Sequence, residues 1–125
     1  MCHLDRSLAW TQSQLGTWYG VAPVAIPEAD RDVPSAAALT LRGDAAMRAL
    51  VAAALGEPDV RAATGSDWER GMLDELADDR YAAVTLIAAR SLAIYPFPST
   101  RRLVEPNVRA ALLAQRDERA ITISE

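Results

Sequence analysis

The chain has 125 residues, half of them apolar, with a net charge of −4 and a pI near 5.0. One domain of this length buries roughly two-thirds of its unfolded surface, so it folds without the help of a metal or a disulfide. The acidic balance excludes a sequence-independent grip on nucleic acid, which needs a basic surface, and the single cysteine, Cys2, excludes an internal disulfide.

All thirteen basic residues are arginine, as arginine codon bias in a high-GC genome produces. The opening MCHLDRS shows neither the basic n-region nor the apolar h-region of a signal peptide. The chain as given is therefore expected to be soluble and cytoplasmic. Aromatic and β-branched residues are sparse and alanine is abundant, which favours closely packed helices over a sheet.

Residues 5–19 place Leu8, Leu15 and Trp18 on one helical face, with Trp10 and Tyr19 beside it; Gly16 weakens the last turn. The stretch 20–34 holds three prolines and an acidic cluster and reads as an extended connector. From Ser35 the helices come in pairs. Ser35 is placed to cap a short helix over 36–42 that stops at Gly43. Asp44 caps a second helix over 44–56, with Met47, Leu50, Val51 and Leu55 inward and Gly56 as its stop. Pro58 opens one or two further turns over 57–65.

Ser66-Asp67-Trp68-Glu69 forms a capping box ahead of a helix over 68–77, whose apolar face is Trp68, Met72, Leu73 and Leu76. Asp78 or Asp79 caps the next segment. Residues 79–95 are apolar on almost every side and are expected to form a central helix buried on most of its faces. It is too short, and too interrupted by Arg80 and Arg90, to span a bilayer. On this reading Leu86→Asp or Ile87→Asp abolishes folding. Proline chemistry in YPFPST ends the segment, and 101–119 is helical again, with Pro106 opening its main part. The tail 120–125 alternates apolar and polar residues, as an edge strand or a tail packed on a helix would.

Two seven-residue pieces nearly coincide, EPDVRAA (57–63) and EPNVRAA (105–111), and Met47–Leu55 aligns without gaps on Val84–Leu92. Such self-similarity indicates stacked units that cannot bury their apolar faces alone. These residues resemble HEAT repeats, whose second helix reads aspartate, then Val-Arg, then alanines and leucine. Asp79, Val84, Ala88, Ala89 and Leu92 fit that pattern, as do Asp44, Met47, Arg48, Ala52, Ala53 and Leu55. Val60-Arg61-Ala62-Ala63 and Val108-Arg109-Ala110-Ala111 carry the same core. Thr85 stands where the arginine is usual, so the ladder of Asp–Arg pairs between repeats is expected to break there. The resemblance implies an all-α fold of stacked antiparallel helix pairs, a short solenoid over 35–119 behind the N-terminal helix (1–19) and the connector (20–34).

A narrower resemblance covers residues 2 to about 98. CHLDRSLAWT, WYG, RGDAAMRALVAAALG, ATGSDW and LADDRYAAVTLIAARSLAIYP are similar to the HEAT-like C-terminal part of some bacterial multihaem c-type cytochromes. There the helices follow a C-x-x-C-H haem-attachment motif directly. Cys2 and His3 would be its second cysteine and its histidine, with the first cysteine falling before Met1. Under that resemblance the chain is the C-terminal part of a periplasmic electron-transfer protein carrying haem c. Without the upstream cysteine, the chain holds no cofactor and no metal site.

The acids Asp74, Glu75, Asp78 and Asp79 read as a helix cap and a solvated face, not an acid–base site. Arg102, Arg109 and Arg116 recur every seven residues on one side of the last helix. They are candidates for binding an anionic or acidic partner, or for pairing with acids such as Asp74 or Glu75. Arg48 and Arg90, within buried helices, should each pair with a carboxylate or carbonyls. Trp10, Trp18 and Trp68 read as core. Serine and threonine nucleophiles lack a base, His3 being the only histidine. The sequence thus points to a non-catalytic helical scaffold or interaction module that binds a protein partner or itself, without nucleic acid or membrane. Electron transfer is the alternative.

Overall fold

A computed structural model of the chain describes residues 3–64, 67–96 and 102–116. Among these residues all regular structure is helical: α1 (Leu8–Tyr19), α2 (Glu28–Arg31), α3 (Ser35–Arg42), α4 (Ala45–Leu55), α5 (Pro58–Thr64), α6 (Trp68–Ala77), α7 (Ala82–Leu92) and α8 (Pro106–Ala114). The expected capping Ser66, the Phe97-Pro98 turn, Arg101, residues 117–119 and the tail 120–125 lie outside the described residues, as does Cys2.

The two segments that align in the sequence are the two helices that meet at the centre. α4 and α7 have equal length and pack on one another, α3 completing a pair with the first and α6 with the second. Asp44 caps α4 as its position requires, its carboxylate accepting the Met47 N–H at 2.8 Å. Where α4 ends, the backbone approaches α7 closely. A Cβ on Gly56 would lie 2.3 Å from Ser91 Oγ, so only glycine fits there. Ser91 Oγ donates to the Ala52 carbonyl at 2.7 Å, and the buried Tyr95 hydroxyl donates to the Leu55 carbonyl at 2.7 Å. Both bonds engage carbonyls of the last turn of α4, which a helix end leaves without intrahelical partners. Burial raises the Tyr95 hydroxyl to about 12, with the neighbouring Glu69 charge adding to the rise and Arg61 opposing it.

The core is drawn from Val51, Ala52 and Leu55 of α4, Trp68, Met72, Leu73 and Leu76 of α6, and Val84 and Ala88 of α7. Residue by residue, α4 is more deeply buried than α7. Arg48, Val51, Ala52 and Leu55 are fully buried, while α7 buries Val84, Ala88 and Ser91 and leaves Leu86 54% exposed. The expectation of a helix buried on most faces is corrected. Alanines made 79–95 apolar all round without demanding cover, and α4 and α6 together shield only one side of it. Arg90 is exposed, not enclosed, and Leu50 of α4, expected inward, is 57% exposed.

Other boundaries shift as well. Ser35 is the first residue of α3 and not its cap; its hydroxyl donates to the Arg6 carbonyl at 2.8 Å. The connector contains the single turn α2, and the last helix is confined to Pro106–Ala114, with Arg102 before it and Arg116 after it. α8 packs chiefly against α3, where Leu112 joins Ala37 and Leu41 in a second small core. A row that added one pair after another would set its last helix against α6 and α7. Here α8 turns back to the first pair.

Candidate functional site

Polar side chains in the interior are the first place to look for chemistry, because burial must be compensated. Arg48 and Asp79 both have side chains with no exposure. The guanidinium forks onto the carboxylate, Nε at 2.7 Å and Nη2 at 3.1 Å, and Nη1 donates to the Gly43 carbonyl at 2.6 Å. Tyr81 closes the pocket, its ring 5.4 Å from the Arg48 guanidinium and its N–H bonded to Asp79 at 3.0 Å. Burial alone would raise the Asp79 carboxyl; the Arg48 bonds, the Tyr81 N–H and the charges of Arg48 and Arg116 outweigh it and hold the group below its usual range. The pair ties the first helix pair to the turn that opens α7. Thr85, aligned with Arg48 in the repeat, instead bonds the Asp79 and Tyr81 carbonyls.

Glu69 is the other buried acid. Its carboxylate takes the Thr64 hydroxyl, and its second oxygen, Oε2, has no hydrogen-bond partner. Desolvation raises its pKa, opposed by the Thr64 bond, its own N–H and Arg61. Asp79 lines an open hollow beside Arg80 and Thr85, but its side chain is fully enclosed, and Glu69 is buried as well. Among the described residues no three His, Cys, Asp or Glu side chains converge to hold a metal ion, and no helix is long and apolar enough to cross a membrane.

The three arginines of the seven-residue spacing occupy different environments. Arg109 forks onto Glu75 at 2.5 and 2.6 Å, the pairing anticipated for it. Arg116 donates to the carbonyls of Leu41 at 2.9 Å and Thr40 at 3.2 Å. Arg102 is exposed. Only Arg109 lies on α8, so the three do not form a helical stripe. His3 is exposed, its ring 5.2 Å from that of Trp10.

The most unusual surface is the N-terminal arm. Leu4 is buried in the core, and the Arg6 and Leu4 carbonyls accept the N–H groups of Ser35 and Ala36, which anchors the chain before α1 begins. α1 then runs outward with Ser7 as its cap and buries none of its residues. Gly20 reverses the chain with φ of 64°, a conformation costly for any residue with a Cβ. The return segment is pinned to the helix by Gln12, whose side-chain oxygen accepts the Val24 N–H at 3.1 Å. At the base of the arm, Asp30 pairs with Arg42 at 2.5 Å. Between helix and return segment lies an open cleft of about 440 Å³, walled by Leu8, Leu15, Val21, Val24 and Ile26.

Leu15, Trp18 and Tyr19 are neighbours at i, i+3 and i+4, so the aromatic pair extends the apolar row past the cleft. Trp18 is 60% and Tyr19 74% exposed. Trp18 is therefore not core, unlike Trp68, which is buried. The sequence grouped Leu8, Leu15 and Trp18 on one helical face, but Trp18 read as core, and Val21, Val24 and Ile26 were not joined to them. The available signal was charge: residues 7–27 contain no ionisable side chain other than Tyr19, in a chain that is 24% charged.

No family model matches the chain, and no curated protein or solved structure matches it.

Proposed function

We propose that this chain is a non-catalytic helical interaction module that engages a protein through the α1 arm. The observation that supports this reading is the uncharged apolar face of the arm. At exposures between 39% and 74%, Leu8, Leu15, Trp18, Tyr19, Val21 and Val24 present on the order of 700 Å², taking about 150–250 Å² for a large side chain. A typical monomer's largest apolar patch is about 300–600 Å². Exposed apolar patches above that size mark interaction sites. The buried polar groups fit the same reading, since the side chains of Arg48, Asp79 and Glu69 are enclosed and bond from one element to another.

The experiment pairs sedimentation of the full chain with the fluorescence of an apolar dye, for wild type and for Leu15→Glu. Wild type either assembles or enhances the dye, and the variant does neither. A wild-type chain sedimenting at 13.5 kDa with no dye enhancement would mean that the arm closes on itself, and the interaction reading would fail.

A further inference from the structure

We infer that the partner of the α1 arm is a second copy of this chain, joined across a two-fold axis through α1 and the return segment 21–27; the inference rests on the interaction reading above. Three observations converge on it.

The first is electrostatic. At the axis of a two-fold interface a residue meets its own mate, so a charge placed there faces its like, while away from the axis residue i meets residue j. The chain carries a net −4, yet its residues 7–27 hold no acidic or basic side chain, the run ending at Arg6 on one side and Glu28 on the other. A partner of different sequence is selected largely by complementary charge, and this face offers none. A lipid surface is disfavoured on the same ground, because interfacial helices carry Lys or Arg beside their apolar face. A fatty acid would find no cation among the cleft residues to meet its carboxylate.

The second is shape. The same face carries both a hollow, walled by Leu8, Leu15, Val21 and Val24, and a projection, Trp18 and Tyr19, one turn beyond Leu15. An isologous contact needs its two halves on a single patch, so that the projection of each copy enters the hollow of the other. The aromatic pair is already braced for this, with ring centroids 6.5 Å apart and planes at 89°.

The third is size. A standard interface buries about 800 Å² on each partner, which the roughly 700 Å² of this face approaches.

The test is sedimentation of the full chain from about 1 to 200 µM, with circular dichroism on every variant to confirm folding. Wild type should move toward twice 13.5 kDa as concentration rises. Leu15→Glu and Trp18→Glu should remain at 13.5 kDa throughout, while Leu50→Glu, on an exposed leucine of α4, should dimerise like wild type. Trp18, at 60% exposure, serves as the second variant should Leu15→Glu perturb the arm. A monomeric wild type that binds the apolar dye would overturn the second-copy assignment while leaving an interaction module for another partner. A monomer without dye binding would overturn both. A dimer that survives Leu15→Glu and Trp18→Glu would place the contact on another surface and also overturn the assignment.

Discussion

Replacing Asp79 by asparagine keeps the shape of the side chain and removes its charge, leaving Arg48 fully buried opposite a neutral amide. What remains for the guanidinium is the Gly43 carbonyl at 2.6 Å and the Tyr81 ring at 5.4 Å, neither of which carries a counter-charge. Breaking a buried pair by deleting one partner costs about 3–5 kcal/mol, because the other ion stays desolvated. At about 2.1 cal/mol/K of unfolding entropy per residue, a chain of 125 residues loses one degree for roughly 0.26 kcal/mol, so the melting temperature should fall by roughly 11–19 °C. Thermal unfolding followed by far-UV circular dichroism reads the shift. Arg48→Met combined with Asp79→Asn, which removes both charges and keeps an acceptor for the Tyr81 N–H, should recover part of the loss. An Asp79→Asn chain melting within about 3 °C of wild type would show that the pair is solvated, and the reasoning fails. The acid limb gives an independent check. Because the folded state holds the carboxyl below 3.8, its contribution is complete above that value and disappears as pH falls through the lower folded value. The asparagine variant should lose less stability over that range.

Two further outcomes follow from the same burial pattern. Leu86→Asp should leave the chain folded at a cost of about 1–2 kcal/mol, since the side chain is 54% exposed and gives up only part of a leucine's burial together with some helix propensity; Val51→Asp, on the fully buried face of α4, should unfold the chain. Thermal melts of the two distinguish them, and an unfolded Leu86→Asp would restore α7 as the enclosed helix. Glu69→Gln should raise the melting temperature at neutral pH, with the gain shrinking as pH falls toward 4.5. Burial raises the folded pKa of Glu69 above that value, so the acid's favourable contribution is complete below 4.5 and is lost as pH rises through the folded pKa. A gain independent of pH would mean that Glu69 does not titrate on folding.

The sequence was legible where a residue's chemistry allowed one solution. Asp44 and Gly56 bounded α4 correctly, Pro58 and Pro106 opened their helices, and the alignment of Met47–Leu55 on Val84–Leu92 identified the two helices that pack at the centre. The all-α class followed from alanine and the scarcity of β-branched residues. Burial was harder to read, because hydropathy reports what a side chain tolerates and not what lies opposite it. Leu50, Leu86 and Trp18 are apolar and at helical spacing, yet each is more than half exposed. Conversely Arg48 is fully buried, which only its meeting with Asp79, 31 residues away, permits. The apolar face of the arm was half visible: its α1 residues were grouped, while its return segment lay in a proline-containing stretch that read as an extended connector.

The return of α8 to α3 bears on how the chain reaches its fold. Arg116 completes the end of α3 by bonding the Thr40 and Leu41 carbonyls, partners 76 and 75 positions earlier, and Arg42 reaches Gln115 at 3.2 Å. In a row of nearest-neighbour units each pair could consolidate as it left the ribosome. In this chain the first pair must wait for the last helix, with Ala37 and Leu41 uncovered in the meantime. Synthesis therefore passes through a long interval in which α3 is a sticky, half-finished edge, and long-range closure of this kind slows folding. A nascent chain ending before Pro106 would be the species most in need of a chaperone.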